Sequence, residues 1–191
     1  MGEERRRGDS QERTSIPPRE AAFAIWLTGL PASGKSSIAA VLKPKLEAAG
    51  HVVEVLESDA VRQILTPAPT YAAQERDLFY RALAFMGSRL VAHGIAVIFD
   101  ATANRRSYRD FARSLIRRFI EVAVVCPLEL CMQRDYKGTY QRGRLGESTT
   151  VPGLQDPYEA PFNPEVTIDT TKMTAEEAAR TIFTAVYERS R

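Results

Sequence analysis

The nonapeptide GLPASGKSS at residues 29–37 follows directly on the apolar run FAIWLT, and Gly29, Gly34, Lys35 and Ser36 satisfy the spacing G-x-x-x-x-G-K-S. Glycine at these points lets the backbone curl so that several N–H groups converge on one phosphate, and a helix starting there adds the positive end of its dipole. Leu30, Pro31, Ala32 and Ser33 complete the loop, and Ser37 follows it. Lys35 supplies a mobile ammonium for the outer phosphates of a nucleotide, and the Ser36 hydroxyl supplies a ligand for magnesium. A strand before and a helix after the motif predict that it holds ATP or a related nucleotide, with Mg2+.

The destination of the phosphoryl group depends on other residues. LESDAVRQIL at residues 56–65 puts Glu57 and Asp59 at the end of a second apolar run, with Arg62 one helical turn on. At the carboxyl edge of a parallel sheet, Asp59 can hold a magnesium-bound water or accept a proton from an attacking hydroxyl, and Arg62 can grip an anion. A plain helix N-cap is the alternative for Asp59, and the two roles are compatible. A third run, GIAVIFD, ends on Asp100, placed as the carboxylate that faces a phosphate loop and binds magnesium directly or through water. Arg105, Arg106, Arg109, Arg113, Arg117 and Arg118 follow; most read as the solvated face of a helix, with the first two nearest a bound anion.

Positioning these groups at one edge requires an α/β fold. Five short β-rich segments, 23–28, 52–56, 95–99, 120–125 and 166–168, alternate with longer stretches of helical period, the pattern of a mostly parallel sheet covered on both faces in three layers. Helices are predicted over 34–49, stopped by Gly50 and interrupted at Pro44, over 72–92, and from a Thr174/Glu177 capping box to about Ser190. Residues 135–165 are rich in Gly, Pro and charge and too long for a passive connection, which predicts a mobile lid. The first 20 residues are almost devoid of apolar side chains and read as a disordered tail ahead of one domain over 21–191.

Composition narrows the class. Of 191 residues, 44% are apolar and 26% charged, enough for a packed core, and no apolar run reaches the length of a membrane span. The net charge of +2 is too balanced for a dedicated nucleic-acid binder. Two cysteines, Cys126 and Cys131, and two separated histidines build no zinc site; the cysteines read as buried and reduced, in a cytoplasmic protein.

The set GLPASGKSS, LESDAVR, PLELCMQRDYKGTY and GLQDPYEAPFNPEVTIDT resembles the adenylylsulfate kinase family over nearly everything after residue 22. The carboxyl-terminal segments are the most specific part of that likeness. The resemblance implies a P-loop kinase that transfers the γ-phosphate of ATP to the 3′-hydroxyl of adenosine 5′-phosphosulfate. It implies an acceptor-binding role for Arg62 and Arg76, an adenine-stacking role for Tyr71 where the family usually has phenylalanine, and a lid carrying Arg134, Asp135 and Lys137 near the phosphates or the acceptor. It also implies a homodimer, for which no interface is readable in the sequence. This chain departs from the family at several points. Glu57-Ser58-Asp59-Ala60 replaces D-G-D-N, Phe79 stands at an acceptor-contacting asparagine, and Val151-Pro152-Gly153 replaces F-T-G. Ala103 replaces a phosphorylatable serine, so no phosphoserine forms there. The DATAN run at 100–104 resembles kinases acting on sugars or polynucleotides. A kinase of another small anionic acceptor and a non-catalytic nucleotide-binding module are the competing expectations.

Overall fold

The computed structural model describes residues 22–188; the tail expected over residues 1–20 and the predicted end of the last helix at Ser190 lie outside the described residues. Five strands form one all-parallel sheet: β1 (Ala24–Thr28), β2 (Val53–Glu57), β3 (Ala96–Asp100), β4 (Phe119–Val125) and β5 (Val166–Asp169), in the order β2-β3-β1-β4-β5. Every predicted strand is present, with ends moved by a residue at most. The connections carry α1 (Lys35–Ala48), α2 (Ser58–Leu65), α3 (Ala73–Ala92), α4 (Arg106–Leu115), α5 (Leu128–Gln133), α6 (Thr139–Arg144) and α7 (Ala175–Glu188).

The central strand β1 is buried throughout because it is covered on both faces. Phe23, Ile25 and Leu27 turn one way into a core shared with Ile38, Leu42 and Leu46 of α1 and Ile182 and Val186 of α7. Ala24 and Trp26 turn the other way and pack with Phe79 and Leu83 of α3, Phe99 of β3, and Tyr108 and Ala112 of α4. The Trp26 indole stacks on Phe99 at 4.4 Å and donates to the Ala101 carbonyl, which satisfies its one buried donor. The capping box read at the start of α7 is formed: the Thr174 N–H and hydroxyl both donate to Glu177 at 2.8 Å, and the Glu177 N–H donates back to Thr174 Oγ1. Gly50, at φ +92, ends α1, and Pro44 lies within that helix.

With all strands parallel, their carboxyl ends share one edge. The register pairs Leu27 with Asp100 and Asp100 with Glu57, so the phosphate loop after β1, the acid closing β3 and the acidic turn after β2 are neighbours. No helix of the described residues is long and apolar enough to cross a membrane.

Candidate active site

The loop between β1 and α1 is held by close packing. A Cβ on Gly29 would stand 2.4 Å from the Val124 carbonyl oxygen, so only glycine fits beside β4. Ala32 at φ +58 and Gly34 at φ +107 turn the backbone in the sense that gathers N–H groups into an anion-binding concavity. Lys35 lies over this loop, buried, and its ammonium donates to the carbonyls of Gly29 (3.1 Å) and Leu30 (2.8 Å).

Asp100 sits in the floor beside the loop, also buried. Burial raises its carboxyl above the usual carboxylate range, against the attraction of Lys35 and a hydrogen bond from the Ser36 hydroxyl. Burial likewise lowers Lys35 below the ordinary lysine value, opposed chiefly by Asp100. Both shifts favour the neutral forms because desolvation outweighs the attraction between the two charges. The described residues contain no cluster of three or more His, Cys, Asp or Glu side chains able to enclose an ion. Ser36 and Asp100 nonetheless suit Mg2+, which takes hard oxygen ligands, keeps several waters and is bound through one or two protein groups plus substrate phosphates.

Asp59 lies in the first turn of α2, where Glu57 and not Asp59 occupies the N-cap position. Lys137, from the loop ahead of α6, bridges Glu57 Oε1 at 2.9 Å and Asp59 Oδ2 at 2.8 Å. Partial burial works against the Lys137 charge, yet the two carboxylates prevail and hold its ammonium above the ordinary lysine value.

Arg62 projects from α2 and is buried, although it is an arginine at the surface of a cleft. Its guanidinium carbon lies 3.8 Å from the centre of the Phe79 ring, 4.9 Å from that of Tyr71 and 5.8 Å from that of Tyr80. The nearest carboxylate, Glu75, is 3.5 Å away, and Nη1 is buried with no hydrogen-bond acceptor. Tyr71 stands at φ +55, a left-handed conformation that costs a bulky residue free energy. Glu75 holds it there, accepting from the Tyr71 N–H (3.1 Å) and from both the N–H and hydroxyl of Thr70 (2.7 Å each). These bonds keep the Glu75 carboxyl below the ordinary value.

Arg76, the second expected acceptor arginine, reaches the same cleft wall and there braces the 135–165 segment. It pairs with Asp156 at 2.8 Å and donates to Asn104 Oδ1 and the Thr150 carbonyl. Arg134 donates to the hydroxyl and carbonyl oxygens of Thr170, whose hydroxyl also bonds the Ser33 carbonyl and whose methyl would meet a Cβ on Gly34 at 3.4 Å. Thr170 is therefore a wall of the phosphate loop, and its place in a strand-to-helix turn gave no warning of that.

The arginines of α4 serve a different purpose from the one read in the sequence. Arg109 is almost wholly buried: it pairs with Glu121 of β4 at 2.6 Å and donates to the carbonyls of Ala103 and Glu159. Arg113 pairs with Glu121 and Glu165, and Arg106 donates to the Ala160 carbonyl beneath the Phe162 ring. These three fasten residues 159–165, Arg109 wholly buried and Arg106 and Arg113 still part-exposed to water; Arg105 remains exposed. The Tyr158 hydroxyl, at 3.1 Å from Thr28 Oγ1, ties the same segment to the end of β1.

Within the 135–165 segment, Asp135 accepts from the N–H groups of Thr139, Tyr140 and Gln141 and so starts the short helix α6, which composition alone had marked as loop. Val151 is buried with Tyr140 and Cys131 instead of presenting a stacking face. Both cysteines are free and buried, as read from the sequence, and burial pushes the Cys131 thiol up. Phosphate loop, Asp100, Asp59, Arg62, Tyr71, Arg76, Arg134 and Lys137 all line one cleft of about 1010 Å³.

A parallel sheet with a Gly-rich phosphate loop after its first strand, a buried Lys/Asp pair and a second, arginine-lined end to the same cleft defines a P-loop phosphotransferase of the small-molecule kinase kind. The chain belongs to the adenylylsulphate kinase family, whose sequence profile it matches over residues 21–169. It is 39% identical over 170 residues to an adenylyl-sulfate kinase of Microcystis aeruginosa, covering 89% of this chain and 94% of that one. Over 151 residues it is 41% identical to a probable adenylyl-sulfate kinase of Archaeoglobus fulgidus, covering 79% and 97%. An APS kinase of Mycobacterium tuberculosis, solved in complex with AMPPNP and APS, matches with a TM-score of 0.82 at 31% identity, covering 89% of this chain and 99% of that one.

Proposed function

We propose that this protein transfers the γ-phosphate of ATP to the 3′-hydroxyl of adenosine 5′-phosphosulfate, giving 3′-phosphoadenosine 5′-phosphosulfate and ADP. The observation that carries the reading is the single cleft, with a phosphate loop at one end and Arg62, Tyr71 and Arg76 at the other. A nucleotide bound at each end brings donor and acceptor together. The family and its structural match, whose acceptor is named APS, support that choice of substrate.

The loop amides and the amino terminus of α1 receive the β-phosphate. As the γ-phosphate arrives, Lys35 exchanges the Gly29 and Leu30 carbonyls for phosphoryl oxygens. Ser36 and Asp100 are the groups that would hold magnesium, which would supply positive charge to offset that of the phosphates. Asp59 orients the acceptor hydroxyl and takes its proton as the oxygen–phosphorus bond forms and the bond from the γ-phosphorus to the bridging oxygen breaks. The transition state is loose, so placement and charge count for more than the basicity of Asp59. Lys137, which neutralises Asp59 and Glu57 in the free protein, must give up at least the Asp59 bond, and the phosphate charge entering beside it supplies the replacement.

A coupled ADP-release assay with MgATP and adenosine 5′-phosphosulfate, followed by mass analysis, tests this. A product heavier by one phosphoryl group is expected. ATP binding with no such product would overturn the choice of acceptor, and transfer to another anionic nucleotide in its place would assign the acceptor end to that molecule. Binding without transfer to any acceptor would leave a non-catalytic nucleotide-binding module.

A further inference from the structure

Phe79 is 2% exposed, and its ring offers no polar atom to a ligand. It does lie flat enough against Arg62 to bring the guanidinium carbon to 3.8 Å of its ring centre, the closest of the three aromatic rings around that group. Phe79 belongs to the buried core cluster that holds Leu83 and Trp26, and it meets Tyr80 in a T-shaped contact at 5.3 Å. The ring is therefore fixed in place.

Arg62 is correspondingly short of polar partners. Its side chain is 8% exposed, Nη1 has no hydrogen-bond acceptor, and Glu75 at 3.5 Å is already engaged by three donors from Thr70 and Tyr71. A buried guanidinium left with unused donors is expensive unless something compensates it. The aromatic faces supply that compensation in the free protein, since a desolvated cation over a ring gains more than an exposed one. Nη1 is the donor left without an acceptor, and Arg62 lines the cleft that an incoming anion would enter.

We propose that Phe79 is the positioning residue of the acceptor site: it acts through Arg62, holding the guanidinium preorganised and desolvated for the anionic group of the acceptor. This rests on the proposed function for the identity of the acceptor, but not for the placement of Arg62.

Two measurements separate those dependencies. In steady-state kinetics, Phe79→Leu keeps an apolar filling and removes the ring. It is expected to raise KM for adenosine 5′-phosphosulfate about tenfold, a loss of cation–π placement of the usual size, with KM for MgATP and kcat within twofold. Phe79→Tyr keeps the ring and should restore KM. Equal rises in both KM values, or no rescue by tyrosine, would reduce Phe79 to a core residue and overturn the proposal. In proton–carbon spectra of the protein without ligand, the Arg62 δ-methylene signal, identified by its loss in Arg62→Lys, is expected upfield from ring currents in wild type and Phe79→Tyr and moved back toward its ordinary position in Phe79→Leu, where only Tyr71 and Tyr80 remain. An ordinary position already in wild type would overturn the proposal whatever the acceptor proves to be. Failure of the wild type to phosphorylate adenosine 5′-phosphosulfate, with the upfield signal present, would instead overturn the functional reading and leave the role of Phe79 standing.

Discussion

Replacing Lys35 with methionine probes the chemistry with little change of shape. Methionine keeps an unbranched side chain of similar length, so the packing under the loop survives, while the ammonium and its bonds to the Gly29 and Leu30 carbonyls are lost. Removing one preorganised donor from a transition-state oxyanion costs about 10²–10³ in rate. Lys35 brings a full charge into a buried site, which places the loss at the upper end, about 10³-fold in kcat/KM for MgATP, or roughly 4 kcal/mol. A second effect follows from the same change. Asp100 is held above the usual carboxylate range by burial and drawn down by Lys35 first among its neighbours. Without Lys35 its carboxyl rises further, so the concentration of Mg2+ needed for half-maximal nucleotide binding should increase most steeply on the acid side of neutrality. Fluorescent-nucleotide titration against Mg2+ at several pH values, beside the coupled ADP assay, reads both effects. A variant retaining kcat/KM within tenfold of wild type would refute the assignment of Lys35 to the phosphoryl group. An unchanged Mg2+ requirement would refute its electrostatic coupling to Asp100.

In the wild type, Asp100 must be ionised to hold a cation. Because burial raises its pKa, the acid limb of kcat/KM for MgATP is expected above the pH at which an exposed aspartate would lose its charge; a pH–rate profile flat down to pH 4 would contradict this. For folding the sign is the reverse. The raised carboxyl favours the folded state when protonated, and that contribution is lost as pH rises through the folded-state value. Arg109→Met breaks a buried ion pair and frees two backbone carbonyls. With Arg113 left to compensate Glu121, the expected loss is about 3 kcal/mol, or roughly 6–12 °C in Tm for a domain of this size; a melting curve shifted by less than 2 °C would show that the pair is dispensable. Limited proteolysis within residues 135–155 is expected to slow when MgATP and the acceptor are both bound, because ligands give Arg76, Arg134 and Lys137 further partners in the closed cleft. Cleavage at equal rates with and without ligands would deny that the segment acts as a lid.

The strands, their mostly parallel arrangement, α1, α3 and the capping box of α7 were legible in the sequence from local patterns, whereas the strand order was not. Strand burial shows as an unbroken apolar run, a phosphate loop as fixed glycine spacing, and a helix start as a Thr and a Glu three residues apart. That Gly29, Lys35, Ser36, Asp59 and Asp100 would gather at one edge was legible for a related reason: a group at the carboxyl end of a parallel strand has one edge to go to. The short helix α6 was hidden because Asp135 caps it through backbone bonds inside a segment whose composition reads as loop.

What the sequence could not decide was which charges would face ligand and which would face protein. Six arginines follow β3, and nothing in their spacing tells that Arg109 and Arg113 meet Glu121 and Glu165, or that Arg106 meets residues 159–162, across chain separations of up to 54 residues. Nor does it tell that Arg62 comes to rest on Phe79, a residue 17 places away on another helix. The free energy of a charge is set by what remains around it once water has been removed. That environment exists only after the helices have packed on the sheet, so the sequence determined that a phosphate loop is present and the tertiary structure alone decided which arginines are taken up by carboxylates and carbonyls and which line the cleft.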